Sequence, residues 1–411
     1  MANTNLTVDQ VTNRAQMVLH QKLNFIGNIN RQYDDSYKTG GAKGGESVRI
    51  KLPNEFVIRT GATLSTQDVT QTAVTLTTGT QKGVDMVFSS QELTQDISLF
   101  SENYIEPAMS VLAANLESDA LSMYKQVFNE ISDLSEDPDL RDILDMGSRM
   151  TENLAPYSDR CLLLRTRSNA ALIDALKGLF NPDQNMDKHY REGQVANNFV
   201  GFQKVYENTL LPNHVGGSDD GTADYLLNNG TLTGGTATVD TGTGTWKAGD
   251  IFYINTVTRV HPETKADTTK HQPFVCTNDE GSSTTSIEFT PAIVSTSIGG
   301  QNVAAAMADG DAFHKVESDN RVTLTSATDI GASATYGIDL GFHKNSFAFA
   351  TADLEVPKGV HFAGRRVQDG ISLRIIRDYS ISADTMPCRL DVLYGYKAIR
   401  PQLACRGGFI A

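Results

Sequence analysis

Two kinds of hydrophobic spacing follow one another at the start of this chain. Between residues 7 and 26, apolar side chains recur every three or four positions, and this period predicts one amphipathic helix. Apolar and polar residues then alternate at 48–52, 74–76 and 84–88. A period of two predicts strands with one buried face. The chain therefore opens with a predicted helix and continues into a β-rich region.

The segment Pro53–Thr72, between the first two predicted strands, is polar and rich in threonine. It has too few apolar residues to form a core of its own, and a two-stranded arm is only marginally stable by itself in water. Two interpretations follow from the residues alone. The segment either lies against another chain or forms an ordinary surface hairpin.

A helical period returns over Tyr104–Leu134, where apolar residues repeat for about eight turns. Pro107 falls in the first turn, where its missing N–H costs little. At about 1.5 Å per residue this single helix would span roughly 45 Å. Residues 137–180 then mix helix and strand patterns, with Asp137 as a predicted helix cap and Cys161–Leu164 as a buried strand. This part of the chain predicts a rigid helix followed by an α/β unit.

The composition of the chain changes after Pro212. Residues 213–315 are rich in Gly, Thr, Ser and Asp and have a net charge of −7, which is half of the −14 of the whole chain. Short apolar runs separated by turn signals predict a small antiparallel barrel or sandwich. Trp246, the only tryptophan, is predicted to lie in its core. Because strand patterns resume from Tyr336, we interpret this β-rich segment as a domain inserted into the α/β unit.

Length, charge and cysteine content restrict the class of protein. The 411 residues are enough for two or three packed units. A net charge of −14 without a basic face argues against sequence-specific DNA binding. The four cysteines are dispersed and lack a C-x-x-C pair, which indicates reduced thiols rather than disulfides or a zinc site. No secretory signal is recognisable, and the longest apolar run, Val303–Ala308, is too short to span a membrane. We therefore expect a protein that stays in the cytoplasm where it is made.

Sequence motifs for catalytic, cofactor or metal sites are missing. The eight histidines are dispersed, and neither H-E-x-x-H nor G-x-S-x-G occurs. Gly40, Gly41, Gly44 and Gly45 surround Lys43 but lack the order of a phosphate-binding loop, so we interpret them as a flexible hinge. We accordingly predict that the protein is not an enzyme and holds neither a cofactor nor a metal.

Three stretches of the sequence carry a resemblance to a known family. They are Gln194–Val215 (QVANNFVGFQKVYENTLLPNHV), Lys247–Val260 (KAGDIFYINTVTRV) and Cys388–Leu403 (CRLDVLYGYKAIRPQL). The residues on which the resemblance depends are Gly201, Phe202, Leu211, Pro212, Tyr394, Gly395, Arg400 and Pro401. In these motifs and in the order of its parts, the chain resembles the major capsid proteins of tailed double-stranded-DNA bacteriophages, which have the Hong Kong 97 (Johnson) fold. The inserted β domain makes it similar to the Lederbergvirus-like branch of short-tailed phages.

This resemblance implies an α+β fold of the Hong Kong 97-like capsid type. Its parts are an N-terminal arm, an extended β-hairpin loop, a long spine helix, an axial α/β domain and an inserted small antiparallel β-barrel domain. The expected boundaries are 1–44 for the arm, 45–90 for the extended loop and its flanking strands, 91–155 for the peripheral domain with the spine helix, 156–212 for the first axial part, 213–320 for the inserted barrel, and 321–411 for the return to the axial and peripheral domains.

The resemblance also implies a function. The chain would be a major capsid protein that self-assembles into an icosahedral shell around the phage DNA genome, with one chain adapting to pentamers and hexamers. Its partners would be other copies of itself, a scaffolding protein and a portal; it would enclose DNA without sequence-specific binding and would contact no membrane. Assembly would take place in the cytoplasm of the bacterial host and give the capsid of the virion. Glu55 and Arg59 are then candidates for contacts between subunits. Because Leu52–Gln81 contains no lysine, we predict no covalent crosslinking from this loop.

Three alternatives are compatible with the residues alone. A nanocompartment (encapsulin-like) shell protein shares the fold but would need neither the inserted domain nor a scaffold. A β-rich carbohydrate-binding or adhesion protein would fit the Thr- and Gly-rich middle of the chain, although such proteins are usually exported. A hydrolase is the third alternative, since catalytic groups can converge in space without a recognisable motif.

Overall fold

The structure is a computed structural model, and two compact units make up its described part. It describes residues 23–31, 47–64, 66, 71–89, 106–134, 136–176, 200–218, 225–228, 230–240, 242–254, 256–296, 300–315, 335–368 and 371–410. The first unit takes its residues from Met1–Ile50, Ala73–Leu121 and Phe347–Ile399, and the second from Lys51–Thr72, Ser122–Ser346 and Arg400–Ala411. Most of the helix predicted at 7–26 and the whole predicted hinge at Gly40–Gly45 lie outside the described residues.

The described chain is rich in strands and has few helices. The α-helices are α1 (Glu106–Leu121), α2 (Leu140–Glu152) and α3 (Thr166–Leu176), and 3-10 helices span Ile26–Asn28, Ser122–Gln126, Lys344–Ser346 and Pro401–Leu403. The strands are β1 (Ser47–Lys51), β2 (Ala73–Thr77), β3 (Thr80–Ser89), β4 (Glu130–Asp133), β5 (Arg160–Leu164), β6 (Lys204–Glu207), β7 (Asn213–Val215), β8 (Leu226–Leu227), β9 (Gly234–Asp240), β10 (Ile251–Ile254), β11 (Thr258–Val260), β12 (Asp267–His271), β13 (Phe274–Cys276), β14 (Ser286–Ile293), β15 (Phe313–Lys315), β16 (Thr335–His343), β17 (Phe347–Ala352), β18 (Phe362–Gln368), β19 (Ile371–Arg377), β20 (Thr385–Ala398) and β21 (Ala404–Ile410).

An antiparallel five-stranded sheet forms the centre of the first unit. Its longest strand, β20, has 14 residues and pairs with β3 along Thr385–Tyr394. The register places β19 and then β17 on the opposite edge of β20, and β18 pairs with β19. The strands β1 and β2 form a separate two-stranded sheet. The alternating patterns at 48–52, 74–76 and 84–88 therefore correspond to β1, β2 and β3.

Two carboxylates connect helix α1 to other parts of the first unit. The buried Glu117 accepts hydrogen bonds from the backbone N–H of Phe25 at 2.8 Å and of the residue before it at 3.1 Å. Two residues further on, Asp119 forms an ion pair with Lys82 Nζ at 2.6 Å and accepts a hydrogen bond from the hydroxyl of Tyr394. The first contact holds the N-terminal segment on the helix, and the second holds β3 and β20 on it.

The prediction of one helix over Tyr104–Leu134 is wrong. Helix α1 ends at Leu121, a 3-10 helix follows, and the chain then enters β4. All residues of 127–133 are buried, and β4 pairs in parallel with β21. A run of buried residues fits a central strand as well as a helix, and pairing with a distant strand decides between them. With 16 residues, α1 is about 24 Å long.

A six-stranded mixed sheet forms the base of the second unit. Its order is β4-β21-β16-β5-β6, and β7 pairs with the start of β16. The pairs β4–β21 and β5–β6 are parallel, and the others are antiparallel. Helix α2 packs its apolar face onto this sheet. Its cap is Asp139, which exchanges hydrogen bonds with Asp142 at 2.8 and 3.0 Å; the predicted cap, Asp137, instead pairs with Arg167 at 2.7 Å.

The inserted segment folds as a closed antiparallel barrel. Its strand order is β15-β10-β13-β14-β9-β8, and a bridge between Leu226 and Ala312 joins the last strand back to the first. Two backbone hydrogen bonds reinforce this closure, from Leu227 N to Asp311 O at 2.9 Å and from Phe313 N to Tyr225 O at 3.0 Å. The interior is aromatic. The ring of Phe252 packs against the rings of Trp246, Phe274, Phe289 and Phe313 at centroid distances of 5.3–5.7 Å. The predicted core position of Trp246 is confirmed.

The hairpin of β11 and β12 extends from the barrel wall as a two-stranded sheet of its own. The six-part division predicted from the sequence is finer than the division into two compact units and stays a prediction. Among the described residues, no helix is long and apolar enough to cross a membrane.

Candidate assembly surfaces and the barrel junction

A cluster of buried polar side chains lies where the barrel meets the mixed sheet. We call it the junction cluster, and it consists of Tyr124, Glu130, His214, Asp250, Tyr336 and Arg406. Glu130 lies on β4, Arg406 on β21 and His214 on β7, whereas Asp250 directly precedes the barrel strand β10. The cluster therefore combines groups from the sheet with groups from the barrel.

The pair of Arg406 and Glu130 is the ionic centre of this cluster. Arg406 Nε donates to Glu130 Oε2 at 2.5 Å, and both side chains are buried. Arg406 Nη2 also donates to the carbonyl oxygen of Gly249, in the barrel, at 2.6 Å. Burial by itself lowers the pKa of Arg406, but the charge and hydrogen bond of Glu130 together with the nearby Tyr336 and Tyr124 outweigh it, so that the pKa is raised. One cation thus ties two sheet strands to the barrel.

His214 and Asp250 form the second contact of the junction cluster. His214 Nε2 lies 2.9 Å from Asp250 Oδ1, and its Nδ1 lies 3.1 Å from the hydroxyl of Tyr124. Asp250 Oδ2 also accepts the backbone N–H of Gly217 at 3.0 Å and of Lys247 at 2.9 Å. A buried carboxylate with this many donors is well satisfied. The contact fixes the barrel strand β10 relative to β7.

The junction cluster leaves no room for a side chain at Gly249. This residue has φ +107°, and an added Cβ would lie 2.9 Å from His214 Cε1. Glycine is therefore required both by the backbone conformation and by the close approach. Burial also raises the pKa of Tyr124 and that of Tyr336, so that both phenols stay protonated.

A second contact between barrel and sheet domain involves the β11–β12 hairpin. Glu152, at the end of α2, accepts from Arg259 Nη2 at 2.6 Å and from Lys270 Nζ at 2.5 Å. Burial raises the pKa of Glu152, but hydrogen bonds from Lys270 and Arg259 outweigh this effect and the net pKa is lowered. The junction cluster and this bidentate contact together attach the barrel at two separate places.

The extended loop, defined here as Leu52–Thr72, exposes apolar side chains. Phe56 is 61% exposed, Ile58 90% and Leu64 78%. Apolar residues with this exposure on a segment without strands in its described part are typical of a surface that another molecule covers. Of the two interpretations compatible with the residues alone, this exposure favours a segment that lies against another chain over an ordinary surface hairpin.

The two charged residues predicted for inter-subunit contacts both lie on this extended loop. Glu55 Oε2 accepts from Lys265 Nζ at 2.6 Å and from the backbone N–H of Gly300 at 3.2 Å, within the same chain. Arg59 Nη1 donates to the carbonyl oxygens of Gly61 and Thr63, the latter at 3.0 Å. Arg59 therefore shapes a turn of the loop itself. A contact with another subunit stays a prediction for both residues.

The residues of the family motif fall at structurally demanding positions. Phe202 is buried in the core under α2, next to Gly201 with φ +84°. Leu211 is buried, and the carbonyl oxygen of Pro212 accepts the N–H of Ile338, in β16, at 3.2 Å. The first two residues thus precede β6, and the last two lead the chain from β6 to β7.

The C-terminal part of the motif shapes β20 and the turn after it. Tyr394 is buried and binds Asp119. A Cβ on Gly395 would lie only 2.0 Å from the carbonyl oxygen of Thr77, so β2 can approach only a glycine here. Arg400 donates its N–H to Ser346 O at 3.1 Å, and Pro401 begins the last 3-10 helix.

Two observations concern metal binding and thiol chemistry in the described residues. Within those residues, no three His, Cys, Asp or Glu side chains are grouped as metal ligands. All four cysteines are free and buried, and burial raises the pKa of Cys276 and that of Cys405 to about 12. A thiol that stays protonated is a poor nucleophile. The polar groups that do converge serve to hold the barrel on the sheet.

A family model with the description "P22 coat protein - gene protein 5" matches residues 14–409. The chain belongs to this family. Because the match covers nearly the whole chain, it confirms the predicted phage capsid protein, its α+β Hong Kong 97-like fold class and its function as a major protein of the capsid shell. A shell protein associates with copies of itself, and its place is the virion.

Curated proteins and solved structures were compared as well. No curated protein matches the chain. A structure of Mycobacterium phage Che8 is similar with 12% identity and a TM-score of 0.47, covering 92% of this chain and 89% of the other. The capsid structure of Cyanophage P-SCSP1u has 9% identity and a TM-score of 0.45, covering 89% and 84%. A virus-like particle from Pyrococcus furiosus has 8% identity and a TM-score of 0.39, covering 97% of both chains. All three scores are below 0.5, so membership of the family rests on the sequence match.

Proposed function

We propose that this capsid protein forms an icosahedral shell in which one chain adapts to pentamers and hexamers and encloses the double-stranded DNA of a short-tailed, Lederbergvirus-like phage. Membership of the coat protein family over residues 14–409 carries this proposal. Assembly takes place in the cytoplasm of the bacterial host, with a scaffolding protein and a portal as further partners. One sequence in two environments needs rigid bodies and a hinge, and Gly40, Gly41, Gly44 and Gly45 are the residues that we assign to the hinge.

The net charge of the chain suits a container for DNA. At −14 the protein repels the phosphate backbone, so packed DNA can slide along the wall without being gripped. Half of this charge, −7, falls on residues 213–315. In that segment, Arg259 and Lys270 are paired with Glu152 of α2, and Lys247 is paired with Asp279 at 3.1 Å. We therefore assign to the protein an enclosing function without sequence-specific binding, without a cofactor and without catalysis.

We propose that the inserted barrel braces the subunit and its neighbours. Its own aromatic core and its two attachments, at the junction cluster and at Glu152, support a rigid connection to the mixed sheet. A barrel fixed in this way can transmit a defined position to its exposed surface, whereas a domain on a flexible linker cannot. The six-part organisation predicted from the sequence is retained as part of this proposal.

We further propose that the extended loop lies on a neighbouring subunit in the shell. Its exposed Phe56, Ile58 and Leu64 would be buried there, and Glu55 and Arg59 would form ion pairs across the interface. Substituting both charges, E55A with R59A, should weaken assembly while the subunit stays folded. Unchanged assembly kinetics and shell yield would exclude these two residues from the interface. Since the loop has no lysine, mature particles should give a single band, not a ladder of covalent multimers, in denaturing gels.

The experiment that tests the function is negative-stain microscopy of the purified chain, expressed with and without its neighbouring genes. Closed shells or uniform tubes made of pentameric and hexameric rings are the expected result. Shells that require a neighbouring gene would identify a scaffolding partner. A small oligomer under both conditions, even at high concentration, would overturn the proposal. The family match favours neither a nanocompartment shell protein nor a carbohydrate-binding protein. Only shells that lack a portal vertex in every preparation from infected cells would support the nanocompartment.

A further inference from the structure

One carboxylate fastens the extended loop to the barrel of its own chain. Glu55 Oε2 lies 2.6 Å from Lys265 Nζ and 3.2 Å from the backbone nitrogen of Gly300. Lys265 lies in the turn of the β11–β12 hairpin and also donates to the carbonyl oxygen of Gln301 at 3.1 Å. The lysine side chain is 7% exposed, whereas that of Glu55 is 51% exposed. Within this contact the lysine side chain is thus shielded from water, whereas the carboxylate is half-exposed.

The rest of this contact is weakly held. The apolar side chains that flank Glu55 in the loop, Phe56 and Ile58, point into solvent, so they add little burial to the contact. Arg59 is engaged with carbonyl oxygens of its own turn rather than with the barrel. A half-exposed ion pair without apolar packing contributes only a small free energy. Such a contact can hold a loop and still be replaced by a better one.

We propose that the ion pair of Glu55 and Lys265 is a latch that keeps the extended loop on its own subunit until a neighbouring copy takes the loop over. This inference rests on the proposed shell function. In the closed state Oε2 of Glu55 is occupied by Lys265, so a cation of another chain has to compete for that oxygen. In the open state the loop carries its apolar side chains and a free carboxylate to the neighbour. The latch therefore lowers the fraction of subunits that can associate, and it delays premature assembly.

The latch depends on competition for one oxygen atom of Glu55. Because one Oε2 atom accepts both Lys265 and Gly300, a cation of a neighbour that binds the same oxygen must displace them. The buried Lys265 keeps its hydrogen bond to Gln301 O after release, which limits the penalty of opening. The closed state is thus favoured by only a small free energy, which burial of the loop on a neighbour can exceed.

The test compares K265Q with the control K247Q in unassembled subunits. Lys247 is a cation of the same barrel that pairs with Asp279. Arg59 is the only arginine in Leu52–Gln81, so an arginine-specific protease reports how often the loop opens. We expect cleavage after Arg59 to be about fivefold faster in K265Q, as fits the loss of one partly exposed ion pair, and unchanged in K247Q. The charge-swapped variant E55K with K265E should restore slow cleavage.

Assembly is followed by light scattering on the same preparations. The lag before shells form should shorten about twofold or more in K265Q, because more subunits are competent to associate, and should not change in K247Q. Unchanged cleavage, or a swap that fails to restore it, would overturn the latch. Faster cleavage with slower assembly would also overturn it, because the pair would then be a brace within the shell. If the wild-type chain forms no shells, the shell function fails, and the cleavage rates still decide whether the pair holds the loop.

Discussion

Removing the charge of Arg406 should destabilise the subunit more than any change of a surface ion pair. Arg406 and Glu130 are both buried and 2.5 Å apart, and Arg406 also binds Gly249 O at 2.6 Å. The variant R406M keeps the apolar stem but leaves Glu130 as a buried charge without its cation. Breaking a buried pair in this way costs about 3–5 kcal/mol. Because the same residue ties β21 and β4 to the barrel, the loss should reach both parts of the second unit.

Urea unfolding of the unassembled subunit measures this effect with two probes. Trp246, the only tryptophan, lies in the barrel core, so its fluorescence reports the barrel, and far-UV circular dichroism reports the whole chain. With a urea dependence of about 2–3 kcal/mol per molar, both midpoints should fall by about 1–2 M. The matched control is R167M, which removes a cation from the exposed pair with Asp137 and should cost less than about 1 kcal/mol.

A double variant separates the cost of an unpaired charge from the value of the pair. R406M combined with E130L removes both charges and fills the site with apolar atoms, and such replacements of buried ion pairs are often close to neutral. We therefore expect the double variant to recover at least about 2 kcal/mol relative to R406M. The reasoning is refuted if R406M stays within about 1 kcal/mol of the wild type, or if the double variant is as unstable as the single one.

Three further predictions concern other buried positions of the chain. Burial raises the pKa of Asp339 to about 6, against hydrogen bonds from Ser168 and Arg165 that lower it, so the folded state keeps a proton that the unfolded chain loses near pH 4. The free energy of unfolding should therefore fall by up to ~3 kcal/mol as the pH rises from about 4 to 6. Urea titrations at several pH values should show that D339N lacks this decrease. Parallel pH profiles of D339N and the wild type would contradict the prediction. Glu152 has a lowered pKa, so its stabilisation is present above its unfolded pKa and disappears as the pH falls through the lowered value. E152Q should speed amide hydrogen exchange in the β11–β12 hairpin at pH 7, and unchanged protection there would show that the hairpin is held by other contacts. G395A should lower the melting temperature strongly, with a loss of about 3 kcal/mol or more, because the new Cβ would meet a backbone oxygen at 2.0 Å; a wild-type melting curve would show that β2 can move away.

The positions of most strands follow from local patterns. The alternation at 48–52, 74–76 and 84–88 corresponds to β1, β2 and β3, and the apolar run Cys161–Leu164 is the buried strand β5. The change of composition after Pro212 precedes the barrel, whose first strand β8 begins at Leu226, because a small barrel of short strands requires many turn residues. These features depend on the period of apolar side chains and on turn-forming residues, and both can be recognised from residues that are close together in the sequence.

The length of α1 could not be predicted in the same way. Apolar residues continue at helical spacing through 127–134, yet the chain leaves the helix and forms β4. Its partner β21 lies more than 270 positions further along, as the pair Glu130 and Arg406 shows. Local spacing carries no information about a partner at that distance, and the gain from completing a buried sheet exceeds the small preference for helix.

The junction cluster is a second feature that the sequence did not reveal. Its residues are spread between Tyr124 and Arg406 and form no motif with a fixed spacing. The only local sign was the segment Lys247–Val260, which includes Asp250 and belonged to the stretches that carry the family resemblance. Which charges are buried and paired depends on how the barrel is placed on the sheet, and that placement is a property of the folded chain.

The sequence by itself thus determined the membership of a capsid protein family, the strand-rich α+β character and the absence of a lysine in the extended loop. Each of these depends on residue type and on short-range order. The tertiary structure alone decided that α1 stops at Leu121, that Arg406 and Glu130 anchor the barrel, and that Glu55 pairs with Lys265 of its own chain. These contacts join residues that are far apart in sequence, and their free energy arises only when burial removes water from both partners at once.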